Sequence, residues 1–245
     1  MVSEIVNLTV QTGCGKNNLS NNKSMLFYKC DDIKIANIIM ALKNNSSPGI
    51  NGLNVKFFKL CVNETTPMFT YYINKTFETG IFPSNLKLSL IIPLFKNKGQ
   101  RSEITEYRPI SLLNIDFEIF ETCLYNRLYS FLEKNKFFTN NQFGFLKWSN
   151  TSAAWFSFMN KIESGLSKKQ NVVSVFLDIA KVFDCIEHNI PIENLMAAGI
   201  RGLPEQLFRN YFSNRKQSVR IGNSISAEET ITYGIPQGLF CLQYI

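Results

Sequence analysis

The sequence predicts a mixed globular domain of helices and strands, an α+β fold, and three observations carry that expectation. Apolar residues recur at helical spacing in several separate stretches, two short apolar runs (LKLSLIIPLF and VVSVFL) read as buried strands, and SVRIG, GNS and ETITY pattern as a hairpin. The composition agrees: 245 residues, 45% apolar and 18% charged, match neither disordered nor collagen-like chains. Length alone suits one large domain or two small subdomains sharing a cleft.

In chain order, residues 1–30 form a polar, Asn-rich leader without periodicity, read as weakly ordered. Its fragment Gly13, Gly15, Lys16 lacks the spacing of a phosphate-binding loop. Asp31 and Asp32 are plausible caps for a helix carrying Ile35, Ile38, Ile39 and Leu42, which ends at the turn NNSSPGINGL. Helices follow around 55–60 and 67–77, then the strand LKLSLIIPLF. YRPISLL (107–113) leaves a loop, and Phe117, Phe120, Leu124, Leu128 and Phe131 mark one face of a long helix.

The turn-rich KFFTNNQFGF precedes a helix in which Trp155, Met159, Ile162 and Leu166 share a face. VVSVFL (172–177) is apolar on both faces and reads as a central strand covered on both sides. Helices around 190–199 and 205–213 lead into the hairpin. No internal repeat of 20 to 50 residues is evident, which excludes solenoids.

A net charge of +7 favours anionic partners such as nucleic acid without deciding the fold. The six cysteines (Cys14, Cys30, Cys61, Cys123, Cys185, Cys241) stand singly and only one histidine, His188, accompanies them, so a structural zinc site is not expected. No secretory signal and no apolar run approaching about 18 residues is present. An intracellular protein, in nucleus or cytoplasm and without a membrane span, is the expectation.

Asp178 stands immediately after VVSVFL, where strand ends open into a ligand-binding crevice and an acid can hold a divalent cation; a helix cap or solvated turn residue is the plain alternative. Asp184 and Glu187 add carboxylates, with Lys181 between them. Lys96, Lys98, Arg101 and Arg108 form a basic cluster able to hold phosphates, or else a solvated surface. His188 is either a general base or a surface residue at a helix start. Cys241 is a conceivable thiol nucleophile, with no third group to orient the pair.

Taken together, SPGINGL, IPLFK, YRPISLLN, RLYSFLEKN, QFGF, VFLDIAKVFD and GIPQG occur in one order over roughly residues 33–240. This combination resembles the reverse transcriptases of retrotransposons lacking long terminal repeats (LINE-like, of the jockey or RTE type). The resemblance implies a right-hand polymerase fold with fingers and part of a palm over residues 31–245, a thumb being absent. It implies RNA-directed DNA polymerisation with Mg²⁺ as cofactor, and an RNA template, a DNA primer and deoxynucleoside triphosphates as partners.

By similarity, Asp178 is the first metal-binding aspartate, with the backbone of Ile179 lining metal and triphosphate. Phe183 matches the aromatic that excludes a ribonucleotide 2′-hydroxyl. Lys96 and Arg108 match fingers residues that grip the triphosphate, and Gln237 matches a nucleotide contact. Four departures stand out: Asn51 where an acid is usual, Leu146 where Arg is usual, Trp148 for a small residue, and LFCLQYI after PQG. The family's second and third carboxylates come from a Tyr-x-Asp-Asp hairpin that does not follow Gln237 here, so the expectation is a truncated, catalytically incomplete fragment. Two further readings are a nucleic-acid-binding remnant that does no chemistry and a functionless relic.

Overall fold

The protein is described by a computed structural model, in which residues 23–178 and 185–234 are described. The element order among them is α1 (Asp32–Ala41), α2 (Val55–Leu60), α3 (Val62–Thr79), β1 (Leu88–Phe95), β2 (Tyr107–Leu112), α4 (Ile115–Lys134), α5 (Thr151–Ser167), α6 (Asn189–Ala197), α7 (Leu203–Phe212), β3 (Arg215–Ile221), β4 (Ser224–Ile225) and β5 (Glu229–Ile231). The mixed α+β class is what the sequence patterns predict. The expected leader, 1–30, is described only from residue 23, where 23–30 joins the body through the buried Met25 and Cys30.

Local chemistry explains most boundaries. Asp31 caps α1 by accepting from the Lys34 amide at 2.8 Å, and Asn54 and Asn150 cap α2 and α5 in the same way. Helix α3 starts at Val62, five residues before Pro67, whereas the pattern places its start near the proline. A proline within a helix leaves one carbonyl without its partner, and packing of Phe69, Ile73 and Phe77 in the core outweighs that loss. Gly80 ends α3 in the left-handed region, at φ 67°.

Strand β1 lies between β2, antiparallel, and β3, parallel, while β4 and β5 both pair antiparallel with β3. In the β1–β2 ladder Pro93 faces Pro109. Neither can donate, so the pair occupies a position whose N–H groups point away from each other. On β2, an edge of the sheet, that direction is outward; on β1 it points toward β3, whose pairing stops at Ile91, two residues earlier.

Helix α4 is the centre of the core. Ile115, Phe117, Ile119, Phe120, Cys123, Leu124, Leu128, Tyr129 and Leu132 are buried, a wider band than the predicted stripe, and Phe131 packs half-buried at its margin. Phe82, 1% exposed, meets Phe117, Phe120 and Tyr211 edge-on with centroids 4.9 to 5.8 Å apart.

One expectation fails. Residues 171–178 form no strand and are exposed throughout, with Val173, Phe176 and Leu177 at 80–88% exposure. Apolar character on both faces promotes burial only if other elements supply cover, and among the described contacts this segment meets only α5, through Phe176 on Phe158 at 5.5 Å.

Candidate functional site

The β1–β2 hairpin carries the basic cluster. Leu94 pairs with Arg108, and the Lys96 amide donates to the Glu106 carbonyl at 2.9 Å. Side chains alternate along each strand, so Lys96, Leu94 and Arg108 share one face, while the Phe95 and Tyr107 rings meet at a tilt on the other with centroids 5.3 Å apart.

The two cations differ in freedom. Lys96 is half-buried and its Nζ donates to the Thr105 carbonyl of its own loop. Arg108 is exposed and its side chain makes no hydrogen bond or ion pair among the described residues, so its guanidinium is open to an anion. Arg101 folds back over the Phe95 ring at 5.3 Å and accepts, through its carbonyl, from the Tyr107 hydroxyl at 3.0 Å.

Behind the hairpin, two of the sequence motifs dock on each other. The Asn114 side chain, at the end of YRPISLLN, accepts from the Asn51 amide of SPGINGL at 3.3 Å. Gly49 lies so close that an added Cβ would fall 2.3 Å from Asn114 Oδ1 and 2.6 Å from its backbone nitrogen, which requires a residue without one. Asn51, the position where an acid is usual, accepts from the Leu53 amide at 3.1 Å. That bond needs only a short side-chain oxygen, which Asn supplies as well as Asp.

Asp178 is exposed, at the end of the irregular 171–178 segment, and makes no hydrogen bond or ion pair among the described residues. Of the other predicted site residues, Ile179, Phe183 and Gln237 lie outside the described residues, as do Lys181, Asp184 and Cys241. The structure therefore brings Lys96 and Arg108 together and joins neither to Asp178 by a direct bond. No group of three or more His, Cys, Asp or Glu side chains fit to hold a metal ion occurs among the described residues. Of the predicted site carboxylates near the motif, Asp178 is described and exposed; a Mg²⁺ shell of this kind takes one or two carboxylates and completes itself with water and substrate phosphates.

His188 plays a structural part. Its Nε2 lies 2.8 Å from the Gly234 carbonyl and its ring rests on Phe212, with centroids 5.6 Å apart. The Gly234 amide donates to the Ile186 carbonyl at 2.8 Å, so His188 clasps the segment after β5 onto the start of α6. Cys185 nearby is an exposed free thiol.

Sequence reasoning missed a buried polar group beneath the sheet. Arg215, 1% exposed, lies over the rings of Phe117 (5.2 Å) and Tyr211 (5.1 Å), and its Nη1 donates to the Tyr211 carbonyl at 3.3 Å. The Tyr211 hydroxyl donates to Glu121 at 2.9 Å, and Glu121 is itself 1% exposed. Desolvation pushes the guanidinium down from its ordinary value, against the pull of Tyr211 and Glu121. Alternation along RKQSVRI does not distinguish a buried Arg from an exposed one.

Among the described residues no helix is long and apolar enough to cross a membrane. The chain is similar to the probable RNA-directed DNA polymerase from transposon X-element of Drosophila melanogaster, 28% identical over 225 residues, which is 88% of this chain and 24% of that protein. It is also similar to the RNA-directed DNA polymerase from mobile element jockey of the same organism, 26% identical over 84% of this chain and 22% of the relative. The probable RNA-directed DNA polymerase from transposon BS, also from D. melanogaster, matches at 26% over 84% and 23%. The chain thus spans about a quarter of the length of these relatives. A family profile described as reverse transcriptase (RNA-dependent DNA polymerase) matches residues 95–241, more than half of the chain and a span holding Lys96, Arg108, Asp178, Phe183 and Gln237 in order, so the chain belongs to the reverse transcriptase family.

Proposed function

We propose that this chain is the fingers and part of the palm of an RNA-directed DNA polymerase from a retrotransposon lacking long terminal repeats. The observation that supports this most directly is the family match over residues 95–241, together with relatives named as polymerases of mobile elements. Its substrates are an RNA template, a DNA primer and deoxynucleoside triphosphates.

Phosphoryl transfer of this class needs positioning and neutralisation of charge more than covalent catalysis by the protein. The primer 3′-oxygen attacks the α-phosphorus of the incoming nucleotide and pyrophosphate leaves. Arg108, exposed and unpaired on the hairpin face, meets the triphosphate, and Lys96 meets it after leaving the Thr105 carbonyl. Phe183 closes the space a 2′-hydroxyl would need, and Gln237 contacts the nucleotide. Asp178 and the Ile179 backbone would help hold Mg²⁺, the cofactor this family implies, which would neutralise charge on the triphosphate.

The test is incorporation of deoxynucleotides on an RNA template, paired with fluorescence anisotropy of a bound labelled nucleotide. Incorporation that Asp178→Asn reduces by about 10³-fold or more supports the assignment. Incorporation indifferent to that change removes Asp178 from the site. Neither incorporation nor nucleotide binding rejects the polymerase reading for this chain. Because Arg108 is free and Lys96 engaged, Arg108→Ala weakens nucleotide binding more than Lys96→Ala.

A further inference from the structure

Away from the hairpin, one face of α5 opens into a pocket of about 650 Å³, a volume ordinary for a small-molecule or nucleotide site. Phe156, Ser157, Asn160, Lys161 and Ser164 recur along the helix at the spacing that keeps side chains on one side, and all five line it. Phe143, from QFGF before the helix, and Gln170, just after it, add to the lining.

The end of α5 explains how Gln170 reaches the pocket. Its amide donates to the Gly165 carbonyl at 3.0 Å and the Lys169 amide donates to the Leu166 carbonyl at 2.9 Å, with Lys169 in the left-handed region at φ 55°. This pair of bonds turns the chain back beside the last turn of the helix. The returning chain fits closely, since a Cβ added to Gly165 would stand 2.5 Å from Val172.

Three chemistries meet in the lining. Phe143 is half-buried and Phe156 is 68% exposed, so both rings offer aromatic surface. Ser157, Ser164, Asn160 and Gln170 bring hydroxyls and amides, and Lys161 brings a cation. The side chains of these five polar residues make no hydrogen bond or ion pair among the described residues. From Phe143 to Gln170 the chain carries Lys147, Lys161, Lys168 and Lys169 against the single acid Glu163. Lys147 rests over the Tyr129 ring at 4.6 Å, while the other three lysines are exposed and unpaired among the described residues. Lys168 and Lys169 stand outside the lining, next to Gln170, so positive charge extends past the space of one nucleotide.

We propose that this pocket takes one unpaired adenosine of a single RNA strand, whose phosphates meet Lys161, Lys168 and Lys169. Aromatic surface stacks a base, and lysines beside it follow the backbone. Adenine presents the N7 acceptor next to the N6 donor, and the side-chain amide of Asn160 or Gln170 matches that pair. The Ser157 and Ser164 hydroxyls suit the ribose 2′-hydroxyl, which DNA lacks. None of Lys96, Arg108 and Asp178 lines the pocket, so strand binding here is independent of polymerisation.

The test is fluorescence anisotropy of labelled octamers on the whole purified chain, with no deoxynucleoside triphosphate present. Oligo(rA) is expected to bind about fivefold or more tighter than oligo(rU) or oligo(dA). Phe156→Ala is expected to weaken oligo(rA) binding about tenfold, and Asn160→Ala combined with Gln170→Ala to erase the preference over oligo(rU). Lys161→Ala lowers the slope of log K against log salt by about 0.7. Trp155→Ala, which alters an exposed ring outside the lining, leaves binding unchanged. Should a variant fold poorly, the wild type supplies a second measurement: an 8-azidoadenosine octamer is expected to photocrosslink within residues 143–170. Crosslinks confined to the β1–β2 hairpin overturn the proposal. So do equal affinities for oligo(rA) and oligo(rU), or a loss in Trp155→Ala as large as that in Phe156→Ala, either of which means unselective stacking on exposed rings. Free AMP that displaces the octamer at equal concentration overturns the strand as ligand and leaves a mononucleotide in its place.

Discussion

Helices α4 and α5 are of similar length, 20 and 17 residues, and both carry aromatic and aliphatic residues at helical spacing, yet α4 buries ten side chains and α5 none. The difference lies in the neighbours. Helix α4 is surrounded by α1, α3, α7 and the segment before α1, whose side chains form one continuous cluster with it. Helix α5 touches the 171–178 segment through Phe158 and Gly165 and leaves Trp155, Phe156 and Leu166 at 61–68% exposure. An amphipathic pattern specifies that a helix has an apolar face; what covers the face is decided by the rest of the chain.

The contrast is sharpest in local stability. Amides of α4 are expected to exchange with solvent only on global unfolding, at a cost of roughly 5–15 kcal/mol, whereas those of 171–178, without ladder bonds, exchange close to the unpaired rate. Native-state hydrogen exchange reads this directly, and strong protection across 171–178 would break the comparison.

The same difference should appear in side-chain truncation. Phe82→Ala, at the hub of the aromatic cluster, is expected to cost about 3–5 kcal/mol in denaturant unfolding. Trp155→Ala on α5 stays within about 0.5 kcal/mol, since its ring is 61% exposed. A Trp155 effect above about 2 kcal/mol would mean that α5 is covered in solution.

Within the body, the buried polar group distinguishes charge from packing. Glu121→Leu removes the carboxylate that helps keep Arg215 charged and is expected to cost about 3 kcal/mol or more. Adding Arg215→Met should restore part of it, because the buried guanidinium that lost its carboxylate is gone, while the buried Tyr211 hydroxyl still lacks its bond to Glu121. Unfolding of the two single variants and the double variant measures the coupling.

The smallest effect concerns Glu118, on the margin of α4. Burial pushes its carboxyl above the ordinary value of 4.5, with the Lys43 ammonium pulling it back. A carboxyl raised in the fold favours folding when protonated, and that contribution is lost as pH rises through the folded value. At neutral pH the buried charge is therefore a penalty. Glu118→Gln should raise the melting temperature at pH 7 by up to about 2–4 °C, and the gain should vanish below pH 4.5. Melting curves at the two pH values check the sign.

The sequence by itself determined most element types, the strand expected at 172–177 excepted, and the family. Helix caps at Asp31, Asn54 and Asn150, the β1 strand, the stripe on α4 and the turn at SPGINGL are written locally, because capping, periodicity and turn chemistry act over a few residues. The motif order that marks a reverse transcriptase is equally a property of the linear chain. Only the tertiary structure decided which cations are free and which distant segments meet. Lys96 and Arg108 look alike in sequence, but the hairpin register binds one to Thr105 and leaves the other open. Cys30 and Asn74 are 44 residues apart, and Asn51 and Asn114 are 63 residues apart, yet each pair is in contact. The exposure of 172–177 belongs to the same class, since burial of an apolar run is a property of its surroundings. Contacts across long separations depend on which faces close on each other, and no local pattern encodes that choice.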